Sequence, residues 1–217
     1  MFSDPKRAEI NHHTIKLIVG VIAISLATLT SLFSATPLQS ISASYHEGGW
    51  SLNIFVGFLF AICAFLLAYN GKSLGELVLS KVAAIAAIGV AMFPCKCGNR
   101  PEIIPYVHGF SAAVMFVVLA IFCYLFFRRA RDKNTSEAKF RASIYALCGI
   151  TIVASVLIIF FDHLSGGVIS LKIVRLTFYG EAAGLIAFGI AWLTASSILP
   201  LITNKEERIS LSPFSNG

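Results

Sequence analysis

Charge is scarce in this chain. Only 13% of its 217 residues are Asp, Glu, Lys or Arg, where a soluble domain carries about 25%. A water-facing surface of ordinary polarity is excluded. Familiar catalytic spacings are missing too: there is no GxSxG, HExxH, HxxxH, phosphate loop or dinucleotide fingerprint. Those absences remove the enzyme classes that depend on such motifs. Helical histidine pairs suited to bridging a haem are absent as well, and no cofactor is assigned.

What the chain has instead is apolar length. Hydrophobic residues make up 57% of it, in six runs near 16–35, 51–69, 74–94, 104–127, 142–161 and 174–198. Each approaches or exceeds the roughly 20 residues that cross a hydrocarbon core. Lipid cannot satisfy open backbone groups, so the runs are read as helices. They are too long and too evenly apolar for barrel strands, which alternate over about 10 residues. The first run exceeds the 7–15-residue core of a signal peptide and is read as a retained helix. The expected fold is all-α, a polytopic membrane helix bundle with six transmembrane helices over 16–202. A cytoplasmic N-terminal segment, 1–15, precedes it, and a cytoplasmic tail, 203–217, follows.

Basic residues divide unevenly between the two ends. Lys6, Arg7, Lys16, Lys72, Lys81, Arg128, Arg129, Arg131, Lys133, Lys139, Arg141, Lys205 and Arg208 fall on one side. Lys96, Arg100, Lys172 and Arg175 fall on the other. The positive-inside rule then puts both termini in the cytoplasm of a cell inner membrane. The basic loop between spans four and five reads as a topology signal that touches anionic lipid. Nucleic acid is not an expected partner, because no aromatic-basic module accompanies these juxtamembrane charges.

This topology gathers the unusual polar residues into one extracytoplasmic layer. Asn53 opens span two, His108 and Ser111 lie in the first turns of span four, and Asp162 and His163 end span five. The first outer loop adds Tyr45, His46 and Glu47. Glu181 lies about seven residues into span six, roughly 10 Å deep. An ionisable group at such depth faces the bundle interior or a water cavity. Glu181 is also flanked by Gly180 and Gly184, a spacing that lets helices approach closely. Two readings stand for it: a hydrogen-bonded packing carboxylate, or a group that binds ligand or handles protons. His108 and Ser111 share a helix face at i, i+3, behind Pro105, a residue suited to a first turn. They are an interfacial hydrogen-bonding pair or a metal or headgroup contact. Asp162 and His163 are a polar helix end before a Gly166-Gly167 stop, or two further groups for the site.

Cys95 and Cys97 are the one closely spaced cysteine pair. On an oxidising side they suit a disulfide, a soft-metal contact, or two unlinked thiols. No second pair completes a closed zinc site, and no metal ligands are assigned. Cys63, Cys123 and Cys148 lie inside spans and read as packing groups.

The order SISASYHEGGWSLNIFVGFLFAICAFLLAYNG, AAIAAIGVAMFPC, YVHGFSAAVMF, RASIYALCG and FYGEAAGLIAFGIAWL resembles a group of uncharacterised bacterial six-helix membrane proteins. It is also distantly similar in layout to Frag1/DRAM/Sfk1 and DUF998 type proteins. The resemblance runs from Ser40 to about Ala195. That group commonly carries Asp where this chain has Asn53, and Arg where it has Leu52. The resemblance implies the six-helix architecture and importance for His108 and Glu181, and it implies no reaction. The expected function is binding of a lipid or small amphiphile in a polar pocket at the extracytoplasmic end. Glu181, His108, Ser111, Asn53, Asp162, His163, Tyr45 and His46 are the candidate ligand-binding residues. The alternatives are a metal-assisted, ceramidase-like lipid hydrolase and a proton- or redox-coupled carrier. Membrane lipids are the expected partners, and self-association stays open.

Overall fold

The computed structural model describes residues 12–97, 100, 102–133 and 135–198. The tail 203–217 and most of the segment 1–15 lie outside the described residues. Seven helices form: α1 (His12–Leu32), α2 (Ser44–Glu47), α3 (Gly49–Ala68), α4 (Leu74–Met92), α5 (Val107–Asp132), α6 (Ser136–Leu164) and α7 (Leu176–Ala195). All except the single turn α2 are long and apolar enough to cross a membrane, so this is a multi-pass membrane protein.

Successive long helices run in opposite directions, each packed on the next, and α7 returns to pack on α1. The result is a closed ring of six. One end carries the Cys95–Cys97 disulfide and is called here the cystine end. The other end carries the basic α5–α6 turn and is called the basic end.

Local chemistry explains the helix limits. Ser73 caps α4 by accepting from the Glu76 N–H at 3.3 Å, and Thr135 caps α6 by accepting from the Ala138 N–H at 3.2 Å. Both satisfy donors that a first helical turn leaves open. Lys81 Nζ donates to the Tyr69 carbonyl at 3.1 Å and also to the Leu67 carbonyl, placing a cation on the C-terminal end of α3. Pro105 does not begin α5. It lies in the preceding turn, and the helix starts at Val107 after Tyr106, which has φ of 68°. Helices α5 and α6 extend beyond their apolar runs at the basic end, through residues 128–132 and 136–141.

Helix association in lipid depends on close packing and not on hydrophobic collapse, and the buried faces reflect this. The inner face of α4 is alanine: Ala83, Ala84, Ala86, Ala87 and Ala91 are all buried. Gly20 of α1 faces Gly189 of α7 so closely that a Cβ on Gly189 would lie 2.7 Å from the Gly20 carbonyl oxygen. Towards the basic end an aromatic cluster fills the centre. The Trp192 ring lies 5.2 Å from Tyr69, 5.2 Å from Phe188 and 5.7 Å from Phe122.

Candidate functional site

The loop after α1 builds the site. Its apolar anchors Leu38 and Ile41 are buried, and hydrogen bonds tie it to the start of α7. Arg175 Nε donates to the Leu38 carbonyl at 2.6 Å. The Phe178 N–H donates to the Gln39 carbonyl at 3.0 Å. The Ile41 N–H donates to Glu181 Oε2 at 2.6 Å. Glu181 is therefore a clasp for the loop as well as a half-buried carboxylate. Because α7 begins at Leu176, Glu181 sits about 8 Å into the helix at 1.5 Å per residue, close to the cystine end.

Clasping the loop sets Ser42 between Glu181 and His108. The Ser42 hydroxyl lies 3.5 Å from Glu181 Oε1 and 3.0 Å from His108 Nε2. The other ring nitrogen, Nδ1, is 2.7 Å from the Phe93 carbonyl. A carbonyl only accepts, so Nδ1 carries a proton and donates. The ring is thereby fixed, and Nε2 is left to exchange a proton with Ser42.

Two proton arrangements satisfy this chain of bonds. In one, His108 is neutral, Ser42 donates to Nε2, and a protonated Glu181 donates to Ser42. In the other, Nε2–H donates to Ser42, which donates to the Glu181 carboxylate. Moving each proton one bond along converts one into the other, with Ser42 unchanged in protonation.

A cavity of about 760 Å³ opens beside this trio, walled by α5, α6 and α7. Glu181, His108 and Ser42 line it, as do Asp162, His163, Lys96 and Glu102. Deeper along the α5–α6 face lies an apolar groove of about 400 Å³ lined by Val117, Ala120, Ile121, Tyr124, Ile152 and Val153, among others. Phe116 and Val156 line both voids.

Of the residues singled out from sequence, the structure brings Glu181, His108, Asp162 and His163 to this cavity. Glu181 and His108 meet through the Ser42 hydroxyl. Asp162 is committed to its own turn: its carboxylate accepts from the Ile169 N–H at 2.8 Å, the Ser170 N–H at 3.0 Å and the Ser170 hydroxyl. That fits the helix-end reading. His163 is exposed at the rim. The other four do not line the cavity. Ser111 sits on the α4 side of α5, against Gly89. Asn53 is exposed on α3. His46 Nε2 donates to the Cys95 carbonyl at 2.9 Å, a staple between loops. Tyr45 packs against the core, edge-on to His46.

Cys95 and Cys97 are joined to each other, which removes both thiolates as ligands for a soft metal. Cys97 Sγ lies 3.5 Å from the Ser40 hydroxyl at the cavity wall. Cys63, Cys123 and Cys148 are buried and unlinked. Among the described residues, no three His, Cys, Asp or Glu side chains are arranged to hold a metal ion.

Ser42 is the residue that sequence reasoning missed. It is one serine among three in the run 40–44, and nothing in the run marks it until α7 fixes the loop. No protein-family model, curated protein or solved structure matches this chain.

Proposed function

We propose that the protein binds a lipid or small amphiphile, with the ligand's polar end in the cavity beside Glu181, Ser42 and His108 and its chain along the α5–α6 groove. The carrying observation is the shape of the void. A chamber of about 760 Å³, largely apolar in its walls but carrying the Glu181, Ser42 and His108 cluster, meets a wholly apolar groove of about 400 Å³ at Phe116 and Val156. That is the division of polarity within an amphiphile. The groove residues Val117, Tyr124, Val153 and Leu157 are exposed on the outer face of the bundle, so the ligand enters sideways from the membrane. Glu181 and His108 address its headgroup by holding or yielding one proton through Ser42.

In this reading the cystine end faces the extracytoplasmic side of a cell inner membrane. Its disulfide suits an oxidising compartment, and the basic end carries most of the lysine and arginine, as a cytoplasmic face does.

The contact between Ser42 and His108 also favours a second reading, a serine nucleophile beside its base. Against it stands the Ile41 N–H. An amide next to the nucleophile is a natural donor to an oxyanion, and this one is already engaged by Glu181 at 2.6 Å.

The test is native mass spectrometry of the full chain released from bilayer nanodiscs, with wild type, Glu181→Gln and Ala120→Phe compared. Gln keeps an oxygen to accept from the Ile41 N–H, so the loop clasp survives and only the titratable group is lost. Phe at position 120 narrows the groove. Wild type is expected to retain lipid, and both variants to lose it with unchanged helical circular dichroism. Equal retention in all three overturns the binding reading. Covalent capture of Ser42 by a fluorophosphonate establishes the nucleophile reading in its place.

A further inference from the structure

The basic end holds a separate, smaller void of about 80 Å³. That is several times the ~10–15 Å³ that one water needs. Five basic side chains line it from separate directions: Lys16 on α1, Lys72 in the α3–α4 loop, Arg129 at the end of α5, Lys133 just after it, and Arg141 on α6. Two are deeply buried, Lys16 at 5% and Arg141 at 6% exposure. Among the described residues, no carboxylate lines the cavity. Glu76 reaches this group from behind, through an ion pair to Arg129, and it also accepts from the Tyr69 hydroxyl and the Lys72 N–H, each at 3.2 Å.

Lys16 shows how incomplete the compensation is. Its Nζ donates to the Ala195 carbonyl at 3.4 Å and lies 5.4 Å from the Phe126 ring centre and 5.7 Å from that of Tyr69. A helix C-terminus offers about half a negative charge, and an aromatic face offers a quadrupole. Neither equals a counter-ion. A buried ammonium group beside other cations is costly unless an opposite charge joins it.

We infer that this cavity is an anion site for a phosphate group. The donors converge from several directions, which suits a tetrahedral oxyanion, whereas a planar carboxylate is served by one arginine fork. Lys16, Lys72 and Arg129 set three positive charges against the single carboxylate of Glu76. A phosphate monoester carries about −1.5 to −2 charges, close to that excess, and a phosphodiester headgroup, with one charge, offsets about half of it. Arg129 supplies a forked donor, and Lys16 and Lys72 supply point charges. The group arrives either on a soluble phosphate compound or on the headgroup of an anionic phospholipid. The site is independent of the cavity at the cystine end.

The test uses the full chain in phosphatidylcholine nanodiscs, with sodium phosphate titrated against sodium chloride at equal ionic strength. Phosphate is expected to raise Tm by about 2–4 °C at saturation, with no matching rise in chloride. Lys72 is an exposed loop residue, so Lys72→Gln spares the fold. It is expected to weaken the phosphate response at least several-fold, and Lys16→Gln to abolish it. A parallel set of discs contains phosphatidylglycerol and no added phosphate. A Tm rise there, lost in Lys72→Gln, assigns the site to a lipid headgroup, and a response to phosphate alone assigns it to a soluble compound. The proposal is overturned if phosphate and phosphatidylglycerol do no more than chloride, or if Lys72→Gln responds as wild type does.

Discussion

A hydroxyl has one proton to give, and at Ser42 that limit links two ionisable groups that do not touch. His108 Nε2 and Glu181 Oε1 both bond to the same oxygen, at 3.0 and 3.5 Å, so a proton taken up by one is felt by the other. A carboxylate in the apolar stretch 178–193 thus has a structural reason first: Glu181 clasps a loop. Outside the membrane helices a second carboxylate shows hydrogen-bond control of charge more simply. The Thr36 hydroxyl donates to Glu47 Oε1 at 2.7 Å, and that bond is the main reason the Glu47 carboxyl is held below the usual carboxylate range. A carboxyl whose pKa is lower in the folded state stabilises the fold above its unfolded pKa, and the contribution is lost as pH falls through the folded value. Thr36→Ala is expected to raise the Glu47 midpoint towards the ordinary range, with the Ser34 hydroxyl and the backbone N–H groups of Ala35 and position 36 keeping part of the depression, read by NMR titration of a labelled Glu47 side chain. An unchanged midpoint would assign the depression to another group.

At the scale of the element, α7 carries three glycine contacts against three different helices. A Cβ on Gly180 would meet Ile159 Cδ1 of α6 at 2.7 Å, and one on Gly184 would meet Phe116 Cε1 of α5 at 2.7 Å. One on Gly189 would meet the backbone of α1. The spacing of Gly180 and Gly184 signals close approach in the sequence, but not that the two glycines serve separate neighbours. Gly184→Leu presses on a ring that can turn and is expected to cost roughly 1–3 kcal/mol. Gly189→Leu presses on a carbonyl that cannot, and should cost more, measured as thermal stability in detergent. The reverse order would show that α1 yields to an added side chain more readily than the Phe116 ring does. Apolar length makes the six spans legible from sequence, and the outer layer of His108, Asp162, His163 and Glu181 follows from their depth. Depth does not give rotation, so it also gathers Ser111 and Asn53, which face elsewhere. Hydropathy stops at the first charges. It misses the helical residues 128–132 and 136–141, although arginine, lysine, alanine and glutamate are sound helix formers. Ser42 stays hidden because an irregular loop has no period to read.

At the scale of the molecule, the ring has two chemically distinct ends, and their orientation is open to direct measurement. Cys97 is bonded to Cys95, so it should resist a membrane-impermeant maleimide until an impermeant reductant is added to intact cells. Label is then expected on Cys97 and not on a cysteine placed at Lys133. Labelling of position 133 from outside would invert the molecule. The ring also closes through its last helix. Besides the Gly20–Gly189 contact, His13 Nδ1 donates to the Ser196 carbonyl at 2.7 Å, and Glu181 clasps Ile41 across 140 residues of chain. This gives assembly a direction in time. Synthesis runs from the N-terminus at about 5–20 residues per second, so the loop around Ile41 waits on the order of 7–28 s for the helix that holds it. A chain released before residue 176 would present five spans and a complete basic α5–α6 hairpin, and its cystine-end chamber would lack the α7 wall.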